Sequence, residues 1–379
     1  MNKKILFILG DIPKNVSNGQ ILYQYLIIKH MAKIHDCYVV GHYQDKTFLD
    51  DITKLDNNNI YKLYKNDKLL AGLKSIVTFT PYISQKYNNK KNIQVINKII
   101  KDNDIDICHS IYFPSTCILA SQIKIQNSIM TMPDLYSKFY KQLLIKNKTN
   151  FKFLYNFLSY KLLEYRLKYV FNSVQFVNYS EVSESQFNNA KYIPLLFNKL
   201  IEFDLSKKIK KILLPRANVE NTIWFLTNVI DKLPEYDFVV ISSDVIVKNH
   251  IKNSQSKNVE LVTWVDNYDT YINQFYLHVV IDYIGTGLST KIIHSFMNGN
   301  LTIGTDLSYR GLPDLPNNLK VVFNDTMQLV SLIKNYMTMD KNEYMNIINS
   351  AKEYANRTFS NDKTLDLIES TYIIYDGEK

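Results

Sequence analysis

Glycine is concentrated in one short stretch of the chain, residues 279–312. An apolar strand is predicted over residues 279–281, and a loop containing two glycines follows it. Ser289 then stands where the cap of a helix with an apolar stripe is expected. Five of the ten glycines in the sequence lie in this stretch: Gly285, Gly287, Gly299, Gly304 and Gly311. A strand, a glycine loop and a helix start in this order predict an anion site.

A phosphate or a diphosphate is the anion that such a loop would hold. Backbone N–H groups at a helix N-terminus have no partner within the helix, and the helix dipole makes this end positive. Lys291 lies in the first turn of the predicted helix and adds a full positive charge. The alternative interpretation is an ordinary connection between a strand and a helix, with Lys291 on a solvated face.

The length and composition of the chain fit two globular domains of ordinary size. The sequence has 379 residues, 46% of them hydrophobic. It contains no apolar run of about 18 residues and no signal-peptide pattern, so a cytoplasmic location is expected. The three cysteines match no metal or disulfide spacing, and neither a metal nor another cofactor is expected.

Positive charge is concentrated in the first half of the chain. Residues 1–200 contain 27 Lys and Arg against 14 Asp and Glu, whereas residues 201–379 contain 18 against 22. This asymmetry indicates an anionic partner, such as a membrane surface or an anionic acceptor. A biased genome would explain the abundance of lysine but not its uneven distribution. Nucleic acid is not expected, because the sequence has no zinc-finger spacing, no RNA-binding aromatic motif and no arginine-rich arm.

Predicted strands alternate with predicted helices, which indicates parallel sheets. Strands are predicted over residues 5–9, 38–40, 105–108, 128–132, 174–177, 210–214, 237–241, 259–261 and 279–281. We predict two doubly wound, Rossmann-like α/β domains, residues 1–200 and 201–379, which face a central cleft and are joined through the polar segment 198–207. The last helix, at about 361–375, is expected to pack on the first domain. The first strand–helix turn lacks the G-x-G-x-x-G fingerprint, so NAD or FAD binding is not expected.

The glycine stretch resembles that of the retaining family 4 glycosyltransferases, which have the GT-B fold. That family has a Gly-x-Gly loop, a downstream Lys, a helix, a Gly and a short strand ending at Thr. The matching residues here are Gly285, Gly287, Lys291, Gly299 and Thr305, followed by Gly311 and Leu312. Weaker matches cover nearly the whole chain and include Gly19, the DICH motif at 106–109, Asp134 and the RTFS motif at 357–360.

The sequence differs from the family pattern at three positions. His294 stands where the family has a Glu that holds the donor ribose, and the upstream acidic residue is replaced at or near Thr286. Imidazole can still bond a hydroxyl, because it offers one donor and one acceptor. The family's Gly-Arg pair at the start of the second domain is Pro215-Arg216 here.

The resemblance implies metal-independent transfer of a sugar from a nucleotide-sugar donor, with retention, to a glycan or lipid-linked acceptor in surface polysaccharide or glycoconjugate synthesis. Lys291 and Arg216 would stabilise the leaving diphosphate, and His109 would face the donor sugar. Gly19 and Asp134 would lie on the acceptor and sugar side. The residues expected to bind the donor are Gly285, Thr286, Gly287, Leu288, Ser289, His294 and Val265, the last of them in the loop 263–268 that would border the base.

Each of these roles has a structural alternative. His109 would be a core histidine, Arg216 would form an ion pair at a strand end, and Asp134 would be the N-cap of the following helix. A noncatalytic GT-B subunit, which binds glycan or stabilises an active partner, is the alternative function, because both family carboxylates are missing. Association of the chain with itself or with another chain is left open.

The segment 138–168, which begins with Lys138 and ends with Lys168, interleaves lysines with Phe, Tyr and Leu and has Glu164 as its one acid. This pattern predicts a basic amphipathic helix or helix pair that lies on an anionic membrane. The chain would then be peripheral on the inner face of the cell membrane. The alternative is a helix that packs in the core and has a lysine-covered outer face.

Overall fold

The chain forms two compact units. The computed structural model describes residues 2–14, 19–44, 47–52, 55–111, 114–122, 127–132, 134–147, 150–171, 173–176, 187, 190–197, 208–254 and 256–373. The first unit comprises Met1–Phe197 and Phe359–Lys379, with the short segment Thr286–Leu288, and the second comprises Asn198–Gly285 and Ser289–Thr358. The predicted joining segment 198–207 lies outside the described residues.

A sheet of seven parallel strands, in the order β3-β2-β1-β4-β5-β6-β7, forms the centre of the first unit. The strands are β1 Lys4–Asp11, β2 Asp36–His42, β3 Ile60–Lys62, β4 Ile107–Ile111, β5 Ser128–Thr131, β6 Ser173–Phe176 and β7 Ala190–Tyr192. The helices are α1 Gly19–Met31, α2 Lys68–Thr78, α3 Tyr82–Gln85, α4 Lys90–Asn103, α5 Pro114–Ser121, α6 Tyr136–Lys146 and α7 Phe151–Leu167. The interior strand β1 is apolar on both faces because helices cover both sides of the sheet.

The second unit contains a five-stranded parallel sheet in the order β10-β9-β8-β11-β12. Its strands are β8 Ile209–Leu214, β9 Phe238–Ile241, β10 Val259–Val262, β11 Phe275–Val280 and β12 Leu301–Gly304. Its helices are α8 Val219–Asn228, α9 Val245–Asn253, α10 Tyr268–Ile272, α11 Thr290–Met297, α12 Thr326–Met337 and α13 Lys341–Thr358. Short 3₁₀ turns lie at Phe48–Asp51, Asn57–Asn59, Ile230–Lys232, Asp306–Tyr309 and Asn317–Leu319.

The last helix, α14 (Asn361–Ile373), belongs to the first unit. Its residues Leu365, Ile368 and Tyr372 are buried in the same apolar cluster as Ile5 and Phe7 of β1. The opposite face of β1 packs in a second cluster, which contains residues of α4, α5 and α7. The expected α/β class with two parallel-sheet, Rossmann-like units is confirmed.

The lysine-rich segment predicted as a helix or helix pair is a pair. Helix α6 ends with its C-cap at Asn147, and the Asn150 side chain accepts a hydrogen bond from the Lys152 N–H to start α7. Among the residues that the structure describes, none of the helices combines the length and the apolar character that crossing a bilayer requires.

Candidate functional site in the second unit

The glycine loop joins β11 to α11, as the sequence predicts. Strand β11 is buried almost throughout and ends at Val280, and Ser289 is the N-cap of α11, with an extended backbone. The Ser289 side chain makes no capping hydrogen bond, in contrast to the predicted cap. Its hydroxyl is buried and has no hydrogen-bond partner among the described residues. A buried hydroxyl without a partner at a helix N-terminus is a donor suited to an anion.

Two glycines of the loop, Gly287 and Gly285, occupy positions that suit glycine for different reasons. Gly287 has a φ of 67°, a left-handed conformation that glycine adopts without steric cost. Gly285 is closely approached by a side chain: a Cβ there would lie 2.7 Å from the guanidinium carbon of Arg310. The glycine at 285 therefore lets an arginine side chain pass directly over the backbone of the loop.

Asp282, just after β11, holds the two cations of the loop. Its carboxylate accepts hydrogen bonds from Lys291 Nζ at 2.6 Å and from Arg310 Nη1 at 2.9 Å. The Asp282 side chain is 9% exposed, so the three groups form a largely buried cluster with one net positive charge. Burial alone would raise the pKa of the Asp282 carboxyl, but the two cations outweigh it and lower that pKa. The cluster orients Lys291 and Arg310 beside the N-terminus of α11.

His294 has a carboxylate partner that sequence reasoning did not identify. Its Nδ1 lies 2.7 Å from Asp269 Oδ1, and both side chains are mostly buried. Asp269 belongs to the short helix α10, and the neighbouring Tyr268 ring contacts the imidazole edge to face. At the position where the family pattern has Glu, the second unit thus places an imidazole oriented by an acid from another helix.

Arg216 follows β8 and is exposed. Because β8 and β11 are adjacent parallel strands, Arg216 and the glycine loop lie at the same edge of the sheet. Arg310 shares the Asp282 carboxylate with Lys291, and the role of Arg216 at the diphosphate stays a prediction. Val265, predicted to border the base, is half-buried against the cluster that contains Leu213 and Val239.

His109 occupies a core position, not the exposed position that its predicted role requires. It lies within β4 and is fully buried. Nδ1 is 2.6 Å from the Tyr372 hydroxyl and Nε2 is 2.7 Å from Thr131 Oγ1, so both ring nitrogens have partners. Burial lowers the pKa of His109 to about 3, which keeps the ring neutral. The structure therefore favours the alternative interpretation of a core histidine.

The two residues predicted on the acceptor side lie at the starts of elements of the first unit. Gly19 is the first residue of α1. Asp134 precedes α6, whose N-cap is Leu135, so Asp134 is not the helix cap that the alternative interpretation required. Thr286 lies in the glycine loop between β11 and α11.

The first unit has a cavity of about 540 Å³ at the carboxyl ends of β1 and β2. Its lining includes Asp11, Lys14, His42 and Lys65. Asp11 forms ion pairs with Lys65 at 2.8 Å and with Lys86 at 2.6 Å. Burial opposes ionisation of Asp11, but hydrogen bonds from these lysines and from a tyrosine lower its pKa to about 2. The cavity is thus polar, and it opens at the sheet edge where ligands bind in open α/β folds.

The fold of this chain is similar to that of solved structures. No protein-family model and no curated protein matches the sequence. Solved structures match along nearly the whole chain. A glycosyltransferase from Rickettsia africae is 13% identical over 100% of both chains, with a TM-score of 0.67. The sucrose-phosphate synthase from Thermosynechococcus elongatus is 13% identical over 100% of both chains, with a TM-score of 0.72. Anabaena HepE, solved with UDP-glucose, is 11% identical over 97% of this chain and 98% of its own, with a TM-score of 0.67.

Proposed function

We propose that this chain transfers a sugar from a nucleotide-sugar donor to an acceptor. The observation that carries the proposal is the set of groups at the start of α11. There the helix N-terminus, the buried Ser289 hydroxyl, Lys291 and Arg310 are brought together by Asp282 and the loop glycines. Such a set fits a diphosphate, and the fold shared with a structure solved with UDP-glucose supports this choice.

Lys291 and Arg310 would act on the leaving group. As the bond between the sugar C1 and the diphosphate oxygen breaks, negative charge grows on the diphosphate, and cations already fixed in place stabilise it. Asp282 would position both cations without touching the substrate. With retention, which the family resemblance implies, the acceptor oxygen attacks C1 from the same face and its proton passes to the departing phosphate oxygen. This route needs neither a protein nucleophile nor a metal.

The acceptor would bind to the first unit. A glycan or lipid-linked acceptor carries hydroxyls and often an anionic group, and the cavity near Asp11 offers carboxylate, imidazole and ammonium groups to both. Gly19 and Asp134 stay predictions for this side. The role in surface polysaccharide or glycoconjugate synthesis is part of the same proposal.

The first test is binding of nucleotides to the purified chain. We expect one nucleoside diphosphate from a panel of uridine, guanosine, cytidine and thymidine diphosphates to raise the melting temperature, because a ligand that binds only the folded state stabilises it. The matching nucleotide sugar should then be consumed slowly in the absence of acceptor. Stabilisation without any turnover in the presence of glycan acceptors would favour the noncatalytic alternative, and no stabilisation by any nucleotide would contradict the proposal.

The second test concerns the His294–Asp269 pair, which would bond a ribose hydroxyl of the donor. We expect the wild type to bind the ribonucleotide about tenfold more tightly than the 2′-deoxyribonucleotide, the equivalent of one net hydrogen bond. His294→Ala should bind both equally, and Asp269→Asn should reduce the difference. His250→Ala, which changes a histidine of α9 in the same unit, is the control. An unchanged preference in His294→Ala would remove His294 from the ribose site.

A further inference from the structure

Helix α2 exposes apolar side chains along most of its outer surface. Its inward residues are Ala71 and Ser75, which are small and buried. The outward apolar residues are between 46 and 85% exposed: Leu69, Leu70, Leu73, Ile76 and Val77. Single exposed apolar residues are normal, but a contiguous group on one helix marks a surface that contacts something apolar.

The apolar surface continues from α2 onto the first turns of α7. The Tyr155 hydroxyl donates to the Ser75 carbonyl at 2.7 Å, and the Tyr155 ring meets Phe79 edge to face. Three residues of α7 that share a helical face with Tyr155 are exposed: Phe151, Leu154 and Leu158. We call the exposed residues of α2 together with these three the α2–α7 surface.

The charge around this surface is predominantly positive, with Asp67, the exposed N-cap of α2, as an acid at its edge. Residues 68–101 contain no Asp or Glu, and residues 135–168 contain only Glu164. Glu164 is half-buried: it accepts hydrogen bonds from the Ser137 N–H at 3.1 Å and from the Ser137 hydroxyl at 2.5 Å. Burial raises the pKa of Glu164 to about 7. Apart from Asp67, the exposed charges of these two segments are therefore those of lysine and arginine.

The apolar face of the predicted amphipathic segment is largely used inside the protein. Tyr160, Leu163 and Leu167 of α7 are buried in the core, and Tyr140 of α6 stacks on Tyr160. These residues are not available to a membrane. The exposed lysines of the two helices are Lys141, Lys146, Lys152 and Lys161. Exposed apolar side chains come both from α2 and from α6 and α7, where they are Ile145, Phe151, Leu154, Leu158 and Tyr165.

We propose that the α2–α7 surface docks on an anionic lipid bilayer. Helix α2 would lie in the headgroup plane with its leucines, isoleucine and valine in the acyl boundary, and the surrounding lysines would contact anionic headgroups. The predominantly positive charge favours this occupant over a second copy of the chain, which would bring like charges together. This proposal for where the chain binds does not depend on the proposed sugar transfer.

The test is co-sedimentation of the full chain with phosphatidylcholine vesicles, with and without phosphatidylglycerol. We expect binding only to vesicles that contain phosphatidylglycerol, and loss of binding at high salt. The triple variant Leu73→Ser, Ile76→Ser, Val77→Ser should bind at least about tenfold more weakly, because it removes the inserted apolar groups. The variant Lys146→Glu, Lys152→Glu, Lys161→Glu should lose binding as well.

The matched control is Val245→Ser with Ile246→Ser, which changes two equally exposed apolar residues of α9 in the second unit. Its binding should equal that of the wild type. All the substituted positions are exposed, and unchanged melting temperatures will verify the folds. The proposal is overturned if the wild type does not bind anionic vesicles, or if the apolar triple variant binds them as strongly as the wild type. The proposal is also overturned if light scattering shows a wild-type dimer that the apolar triple variant converts to a monomer without any loss of vesicle binding.

Discussion

Replacing Lys291 with methionine should slow sugar transfer by about two to three orders of magnitude, the usual effect of removing one fixed group that stabilises transition-state charge. The loss should be seen mainly in kcat, because the charge on the diphosphate grows as the bond to the sugar breaks. The fold should persist, since Asp282 keeps Arg310 as its counterion. Methionine also retains the apolar stem of the lysine against the helix.

The measurement is steady-state kinetics with the nucleotide sugar that the binding panel identifies. Lys291→Arg should retain part of the rate, because it keeps the charge but changes its position. The control is Lys320→Met, which removes a lysine paired with Asp306 at 2.7 Å on the surface of the same unit. If Lys291→Met kept the wild-type kcat, the diphosphate would have to be stabilised elsewhere.

The location of the candidate site could be predicted from the sequence because its signals are local. A buried strand, a loop with Gly285 and Gly287, and a helix start follow one another within a few residues, and each has its own residue preferences. The parallel sheets could be predicted for the same reason, since strands such as β1 and β11 are short apolar runs between helical segments.

The partners within the site could not be predicted, because they come from distant positions in the chain. Arg310 reaches Asp282 across 28 residues, and Asp269 meets His294 from another helix. No periodicity of the sequence links such residues. They are brought together by the packing of β11, α10 and α11.

Position after a predicted strand was a misleading signal for His109. The sequence predicted a strand ending at 108, but β4 continues to Ile111, which places the histidine inside the sheet. Helix α2 shows the opposite case, in which residues that a pattern assigns to the core are exposed. Pattern reasoning assigns the apolar face of a helix to the core, and only the structure shows that Leu73, Ile76 and Val77 remain exposed.

Asp282→Asn should lower the free energy of unfolding by about 3 kcal/mol, because it removes the carboxylate that two partly buried cations share. At neutral pH the wild-type carboxylate supplies this stability. Its lowered pKa means that the contribution is lost only as the pH falls through the folded-state value, below the ordinary aspartate range. The variant should lack this acid-dependent loss. Asp306→Asn, which changes an exposed ion-paired aspartate of the same unit, should cost less than about 0.5 kcal/mol.

Nucleotide binding should reveal what Asp282 does in the site. A bound diphosphate brings negative charge to Lys291 and Arg310, so it should raise the melting temperature of Asp282→Asn by more than that of the wild type. Transfer should nevertheless be slower, because the two cations are no longer held in one geometry. Thermal shifts with and without the nucleotide, together with kcat, measure both effects. A variant as stable as the wild type, or one whose thermal shift with nucleotide is smaller, would show that Asp282 does not hold the cations in place for a diphosphate.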